Sequence, residues 1–394
     1  MAVTRTPESK IKQAILHPVE EIRETAISYF SKARCDDESI MPLVIQAVEK
    51  YGRETGFRIL CDAEPLPQTD ATINWVIEEL RRNYDLTDVN QENYCFVLAA
   101  ILHRAPQPLI WKRCNDIMAA PAVLEQFIQP IQDHLERFSW DWDQGWTALK
   151  YWAEDTMRRG DLTRSDIGWA RGIVESMARH RTEKAKVLAW LRGEYGDEDH
   201  NMMKWLRPRF MDIAGEMRLN EAVPLLVRWL GDEDLYLSEG AGEALERIGG
   251  DLVVRAIGAR WRRADAEFRC SAACRLGYVR GDLCIERCLD FFECEEDHGT
   301  KLALADALLG NFAEEGIDPV WMFLADIDDE SDWDARDLRY RLVAVCEIIG
   351  RTFPFFDEWH AAALRDDWGR FGMAPYRLAN MFGPEWFGPR WSEN

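Results

Sequence analysis

Apolar residues recur at helical spacing along almost the whole of this 394-residue chain. The apolar stretches run about 10 to 16 residues and are separated by roughly two to eight residues rich in Gly, Pro, Asp and Asn, which are loop lengths typical of paired helices. No convincing pair of alternating strands joined by an Asn-Gly or Asp-Gly turn is present. The pattern therefore predicts an all-α chain whose neighbouring helices pack as hairpins.

The clearest hairpin runs from residue 219 to residue 250. Its first helix is expected over residues 219–230, with Pro224 in the first turn, where a missing N–H costs nothing. An Asp-rich turn follows at 231–234, and the second helix is expected to stop at Gly249 and Gly250. The predicted apolar faces consist of Val223, Leu226, Val227 and Leu230 in the first helix, and of Leu237, Ala241, Ala244, Leu245 and Ile248 in the second.

The second-helix pattern recurs with a cation at a matching place, namely Arg269, Lys301 and Arg339. The separations of 32 and 38 residues are close to the periods of solenoid repeats. Near the N-terminus the segment from Pro18 to Ala26, which contains Arg23, matches as well. Residues 40–48 follow as the next expected first helix.

These segments resemble HEAT-like repeats of the phycobilisome-lyase type, which combine an Ala-x-Pro-x-Leu first helix, an Asp-rich turn, a Val-Arg-x-x-Ala second helix and an Ile-Gly end. The resemblance is clearest over residues 201–350 and 8–62. It implies an all-α fold, an α-solenoid or superhelix of HEAT-like helical hairpins. In the clearest repeat Glu239 is assigned to the place where the family has Arg, so a rung of ion pairs between repeats is expected to be broken there.

We expect one continuous array in four parts. Residues 1–64 are predicted to be N-terminal HEAT-like repeats, 65–200 degenerate helical repeats or a helical insert, and 201–352 regular HEAT-like repeats. Residues 353–394, dense in aromatics and Gly-Pro breaks, are predicted to form a C-terminal cap over the last repeat. Helix-length amphipathic segments in the second part are expected at 69–82, 90–104, 121–138, 144–159 and 165–180.

The charge balance narrows the classes of partner. The chain has 48 basic and 70 acidic side chains and a formal net charge of -22. Such a field repels nucleic acid and anionic lipid and concentrates cationic partners. No apolar run approaches the ~18 residues of a membrane span, and the first residues lack the features of a secretory signal. We therefore expect a cytoplasmic protein that binds neither nucleic acid nor membrane.

Catalytic motifs are missing from the sequence. Deoxyhypusine hydroxylases resemble this architecture but carry paired His-Glu dipeptides for a di-iron centre, and none of the seven histidines here is followed by Glu. Neither a Gly-x-x-x-x-Gly-Lys phosphate loop nor a Gly-x-Ser-x-Gly elbow occurs. We expect no catalytic residues and no cofactor.

Cysteines form the densest group of possible metal ligands. Spacings of four residues allow a zinc site, but the short Cys-x-x-Cys pairs that fix tetrahedral geometry are missing, so we predict core cysteines and no metal. The same prediction applies to Cys35, Cys61, Cys95 and Cys346, which lie among apolar residues. The possible ligands are Cys270, Cys274, Cys284, Cys288, Cys294 and His298.

Residues 140–152 form a segment rich in tryptophan. Trp146, Leu149 and Trp152 fall on one helical stripe and are expected in the core, whereas Trp140 and Trp142 are placed in an acidic turn before it. An exposed Trp among carboxylates would suit a basic peptide, because large rigid side chains dominate interface energies. Structural packing is the alternative, since most Trp side chains must be buried.

These observations favour a non-enzymatic scaffold or adaptor that holds a basic protein segment on the concave face lined by the second helices. The candidate contact residues are Glu239, Glu243 and Glu246, with Trp140 and Trp142. One alternative is a lyase-like enzyme or enzyme subunit acting on a partner-bound cofactor, which predicts visible absorbance or bound metal in the purified protein. Another is a nucleic-acid-repair type of HEAT protein, which predicts a basic stripe on the folded surface.

Overall fold

A computed structural model of the chain describes residues 5–53, 56–120, 125–160, 164–327 and 333–365. All regular structure in these residues is helical, and no β-strand is present among them. The predicted all-α fold class is therefore confirmed. Two compact units are distinguished: unit 1 is Met1–Thr4 with Glu136–Gly316, and unit 2 is Arg5–Leu135 with Ile317–Asn394.

Regular helices follow one another closely along the described residues. The first nine are α1 (Glu8–Ala14), α2 (Glu20–Lys32), α3 (Ile40–Tyr51), α4 (Gly56–Ala63), α5 (Asp70–Leu80), α6 (Val89–Arg104), α7 (Gln107–Trp111), α8 (Cys114–Met118) and α9 (Glu125–Phe138). The next six are α10 (Trp142–Arg159), α11 (Arg164–Ala178), α12 (Lys184–Arg192), α13 (His200–Trp205), α14 (Arg207–Glu216) and α15 (Val223–Leu226). The remainder are α16 (Leu235–Ile248), α17 (Gly250–Trp261), α18 (Ala266–Leu276), α19 (Asp282–Cys294), α20 (His298–Gly310), α21 (Ile317–Ala325), α22 (Trp333–Ile349) and α23 (Phe356–Arg365). Short 3-10 helices occupy Arg181–Glu183, Asn220–Ala222 and Glu314–Gly316.

Unit 1 consists of two layers of helices. The second helices α11, α14, α16, α18 and α20 lie side by side, each in contact with the next, and we call them the second-helix layer. The first helices α15, α17 and α19 pack in series on the other side. Each first helix also contacts the second helix that follows it, so the predicted hairpins form the unit.

Small residues let neighbouring second helices approach closely. A Cβ atom on Gly215 of α14 would lie 2.9 Å from the Cα of Ala244 in α16. A Cβ atom on Gly240 would lie 3.3 Å from the Cβ of Pro208. The contact between α14 and α16 therefore leaves no room for a further methyl group at Gly215.

The clearest predicted hairpin is present, with a shorter first helix. The apolar stripe of that helix is buried as predicted, but its regular α-helical part is only α15. Arg260 of α17 donates from Nη1 to the carbonyl oxygens of Val227 (2.8 Å) and Arg228 (3.2 Å). These carbonyls are therefore satisfied by the next repeat rather than by further helical turns. The second helix ends at Ile248 as predicted, and Gly250 already begins α17.

An aspartate caps the start of several helices in unit 1. The Asp234 carboxylate accepts hydrogen bonds from the backbone N–H groups of Tyr236 (3.0 Å) and Leu237 (3.4 Å). A side-chain oxygen at this place satisfies N–H groups that have no helical partner, and the negative charge faces the positive end of the helix dipole. The same cap is formed by Asp141 for α10, Asp199 for α13, Asp265 for α18 and Asp297 for α20.

The caps also fix the register of the recurring cation. Four residues after its capping aspartate, Arg269 donates to the carbonyl of Ala264 (2.8 Å), and Lys301 at the same place lies 3.4 Å from the carbonyl of Glu295. Counted from Asp234, this place in α16 belongs to Ser238, whose Oγ accepts from the backbone N–H of Gly231 (3.0 Å). The assignment of Glu239 to the family's Arg position was therefore wrong by one residue.

Unit 2 brings the two ends of the described chain together. Its longer helices pack in the order α22, α2, α4 and α6, and α1 also contacts α22. The Nζ of Lys10 donates to the carbonyl of Ile349 (2.7 Å). The last long helix thus stacks against the first hairpin. Residues 366–394, most of the predicted cap, lie outside the described residues, and the predicted boundaries at 64, 200 and 352 stay predictions.

The described helices differ in length and in apolar character. None of these helices combines the length and the apolar character that crossing a bilayer requires.

Candidate protein-binding surfaces

The carboxylates predicted to bind a partner belong to an ion-pair network across the second-helix layer. At its centre is Arg247 of α16, whose side chain is 4% exposed. Its guanidinium lies 3.1 Å from Asp212 and 2.9 Å from Glu216, both in α14, and 2.9 Å from Glu243 in its own helix. Burial alone would lower the pKa of Arg247, but the three carboxylates outweigh burial and raise it.

Glu239 and Glu246 share a second cation, Arg275 of α18. The Nη1 atom of Arg275 lies 2.6 Å from Glu246, and its Nη2 contacts Glu239. Burial acts to lower the pKa of Arg275, and the two carboxylates overcome it, so the pKa is raised. All three predicted carboxylates therefore lie in the second-helix layer, and each already has an intramolecular cation. Their role in binding a partner stays a prediction.

Trp142 does not lie in a turn. α10 begins at Trp142, because Asp141 and Gln144 form a capping box, and this start is two residues earlier than predicted. The placement of Trp142 in the acidic turn was therefore wrong: its ring is buried and stacks on Trp190 at 5.9 Å. Trp140 is half-buried, and its carbonyl oxygen lies 3.1 Å from the Nε2 of His180. The predicted core residues of α10 are buried, namely Trp146, Leu149 and Trp152.

Exposed carboxylates line the turns before α16, α18 and α20 and the first turn of α18. We call this set the acidic turn row. The three aspartates in it each use one oxygen to cap a helix. None of the set forms an ion pair within the residues that the structure describes. The acidic turn row consists of Glu233, Asp234, Asp265, Glu267, Glu296 and Asp297.

The three turns of the acidic turn row touch the repeats beside them. Gly231 in the first turn has φ +75°, and a Cβ atom there would lie 2.4 Å from the Cα of Phe268 at the start of α18. Arg269, the next residue, reaches Glu295 in the third turn at 2.9 Å. The row is therefore continuous along one edge of unit 1. Arg262 and Arg263 are exposed cations beside the middle turn and reduce the local charge.

A surface pocket of about 480 Å³ opens beside the first turn of the row. It is a half-open depression in the surface and not an enclosed cavity. We call it the α10–α16 pocket, because it lies between the end of α10, the α13–α14 junction and the start of α16. Its lining residues are Thr156, Met157, Gly160, Lys204, Trp205, Pro208, Asp234, Tyr236 and Leu237. No pattern in the sequence pointed to it, since its walls come from three separate stretches of chain.

The cysteines divide between core and surface. On α18 the buried face carries Phe268, Ala272 and Leu276, and Cys274 lies on the opposite side. Within the described residues, no group of three or more His, Cys, Asp or Glu side chains is placed to hold a metal ion. The prediction of core cysteines is wrong for Cys274 and Cys294, which are exposed, and holds only partly for Cys35 and Cys270, which are half-buried. It is confirmed for the buried Cys61, Cys95, Cys284, Cys288 and Cys346.

Comparisons with known proteins assign no family to this chain. No family model matches the chain, and no curated protein matches it. A solved structure of human deoxyhypusine hydroxylase in complex with glycerol is similar over 87% of this chain and 96% of that chain, with 14% sequence identity and a TM-score of 0.27. A likeness this weak carries no conclusion about activity. None of the comparisons bears on the phycobilisome-lyase type of repeat.

Proposed function

We propose that this chain is a non-enzymatic interaction module, a scaffold or adaptor, that binds a basic segment of a partner protein. The acidic turn row carries the proposal. It presents exposed carboxylates on three consecutive turns, and none of them is in an ion pair within the described residues. A cationic partner can therefore approach them without displacing an internal arginine. The net charge of -22 adds a long-range attraction for such a partner.

The second-helix carboxylates are a less favourable contact for the same partner. Glu246 is 8% exposed and lies 2.6 Å from Arg275, and Glu243 lies 2.9 Å from Arg247. A partner cation would have to compete with these arginines, which are largely buried themselves. Removing one member of a buried ion pair is costly, because the other charge loses its partner. We therefore place the proposed contact at the acidic turn row rather than at Glu239, Glu243 and Glu246.

A binding assay with charge variants tests this proposal. The probe is a fluorescein-labelled peptide of sequence Gly-Lys-Lys-Phe-Lys-Lys-Gly, and the readout is its dissociation constant by fluorescence anisotropy. The variant Glu233→Lys/Glu267→Lys/Glu296→Lys reverses three exposed charges of the row. We expect it to weaken binding by about tenfold or more, because exposed ion pairs contribute ~0.2–1 kcal/mol each and a total of ~1.4 kcal/mol is tenfold in affinity.

The matched control reverses three exposed glutamates elsewhere in unit 1: Glu154→Lys/Glu194→Lys/Glu286→Lys. This control changes the net charge by the same amount as the row variant. If the position of the charges decides binding, the control should weaken binding much less. Equal weakening by both variants, or no binding of the probe to the unmodified protein, would contradict the proposal. Loss of binding on neutralising Glu239, Glu243 and Glu246 to Gln, with the row variant unaffected, would return the site to the second-helix layer.

A further inference from the structure

We propose that the α10–α16 pocket receives a large apolar side chain from the basic partner segment, an inference that rests on the proposed function. The occupant is therefore a protein segment in which a bulky apolar residue, such as Phe or Leu, is flanked by Lys or Arg. The apolar residue anchors the segment in the pocket, and the flanking cations face the acidic turn row. This occupant is supported by the concave shape of the pocket, by the exposed apolar side chains at its walls, by the rigidity of those walls and by the charge around them.

Apolar surface at the pocket is exposed to an unusual degree. Met157 lines the pocket and is 43% exposed. Leu237 and the ring of Trp205 add further apolar wall. Large apolar side chains grouped around a concave site mark interaction surfaces more often than chance exposure does. A concave surface with these walls gains most from contact with an apolar group.

The aromatic walls of the pocket are held in place by the layers behind them. The ring of Trp205 packs on buried Trp152 at a centroid distance of 4.9 Å. The hydroxyl of Tyr236 accepts a hydrogen bond from Arg209 (3.2 Å), and Arg209 is itself paired with Asp212 (3.0 Å). Walls fixed in this way lose little conformational freedom when a side chain enters.

Charge around the pocket favours a basic rather than an acidic segment. Asp234 lines the pocket and shares its turn with Asp232 and Glu233. α10 ends at the pocket with Gly160, and Arg158 and Arg159 in its last turn offset the negative end of the helix dipole. Lys204 also lines the pocket and opposes the three carboxylates in part. The same charges select against a segment whose anchor is flanked by Asp or Glu.

The test compares two defined peptides on the full chain: the Lys-Lys-Phe-Lys-Lys probe described above and the same peptide with Ser in place of Phe. We expect the Phe peptide to bind about tenfold more tightly, as a single buried anchor does in protein interfaces. The variant Met157→Ser should remove most of this difference. Met157 is 43% exposed, so the fold should survive. The control Leu252→Ser removes a side chain that is 44% exposed on α17, and the difference should persist.

The possible outcomes distinguish a failure of the pocket proposal from a failure of the proposed function. If both peptides bind the unmodified protein equally, the pocket proposal is overturned, while binding of a basic segment stands. A difference that survives Met157→Ser in full overturns it as well, because the anchor then lies elsewhere. If neither peptide binds, the proposed function fails together with the inference. The variant Lys204→Ser should tighten binding of both peptides, and weaker binding would contradict the assigned charge preference.

Discussion

At the residue scale, buried charge is balanced by contacts that cross from helix to helix. Arg247 meets carboxylates from α14 and from its own helix, and Arg275 links α18 to α16. The pair Glu243 and Arg247 has the i, i+4 spacing of a helical ion pair, so the sequence could have indicated it. The partners of Glu239 and Glu246 could not be predicted, because Arg275 lies a full repeat further along the chain.

The first prediction concerns the buried centre of this network. Arg247→Ala leaves Asp212, Glu216 and Glu243 without their shared cation. We expect the free energy of unfolding, measured by urea titration at neutral pH, to fall by about 3–5 kcal/mol. The control is Arg255→Ala, which removes a 69% exposed cation paired with Asp251 and should cost at most about 1 kcal/mol. Similar losses for both variants would contradict this account of the network.

Unit 2 contains a comparable buried carboxylate. The side chain of Glu79 is 2% exposed and accepts two hydrogen bonds from Arg53, at 2.6 and 2.9 Å. The hydroxyls of Tyr84 (3.0 Å) and Tyr94 (3.1 Å) donate to it as well. Burial alone would raise the pKa of Glu79, but these donors outweigh burial and hold it below its ordinary value of 4.5.

The second prediction follows from the sign of that shift. A carboxyl with a lowered folded pKa stabilises the protein above its unfolded pKa and loses this contribution as the pH falls through the folded value. The stability gap between the unmodified protein and Glu79→Gln should therefore be widest above pH 4.5 and should narrow with further acidification. Urea titrations across this range measure it. The control is Glu78→Gln, at a 65% exposed side chain, which should change the free energy of unfolding very little at any pH. A stability gap for Glu79→Gln that stays constant with pH would contradict the lowered pKa of Glu79.

At the element scale, periodicity predicted which segments are helical better than it predicted where helices begin. The helices expected at 69–82, 90–104, 144–159 and 165–180 correspond to α5, α6, α10 and α11. The start of α10 was misplaced although Asp141 and Gln144 have the spacing of a capping box, a signal that could have been read. The short helices α7 and α8 were not expected, because five residues are too few to show a period.

The third prediction tests the close packing of second helices. Gly215→Ala in α14 places a methyl group 2.9 Å from the Cα of Ala244, and we expect a loss of about 1–3 kcal/mol in unfolding free energy. The matched control is Gly168→Ala in α11, where a Cβ atom meets nothing within 4 Å. This control should stabilise the protein by about 0.5–1 kcal/mol, because Ala restricts the unfolded chain more than Gly does. A gain for both variants would show that α14 and α16 can move apart freely.

At the scale of the whole molecule, the composition predicted a basic partner. The structure changed the surface on which we propose that this partner binds. An acidic excess can be read from the sequence, but which carboxylates are already paired depends on neighbours that only folding brings together. Similarly, nothing in the sequence indicated that α22 stacks on α2, because more than 300 residues separate them. The all-α array of hairpins was predictable, since its signal is local and repeated.

The fourth prediction uses the overall charge. If the field of -22 steers a basic segment to the protein, the association rate constant should fall by about tenfold or more when ionic strength rises from about 0.05 M to about 0.5 M. Stopped-flow anisotropy with the Lys-Lys-Phe-Lys-Lys probe measures this rate. The Lys-to-Glu version of the probe should bind poorly at both salt concentrations. A rate that does not depend on salt would contradict electrostatic steering.

Hydrogen–deuterium exchange with and without the same probe tests the central claim most directly, because it reports where the peptide binds. Our account predicts slower exchange of backbone amides in residues 231–237, 265–268 and 295–298 and at the end of α10 around Gly160. The first helices α17 and α19 should exchange at the same rate in both samples. Protection confined to residues 239–247 of the second-helix layer, or protection spread evenly over unit 1, would contradict it.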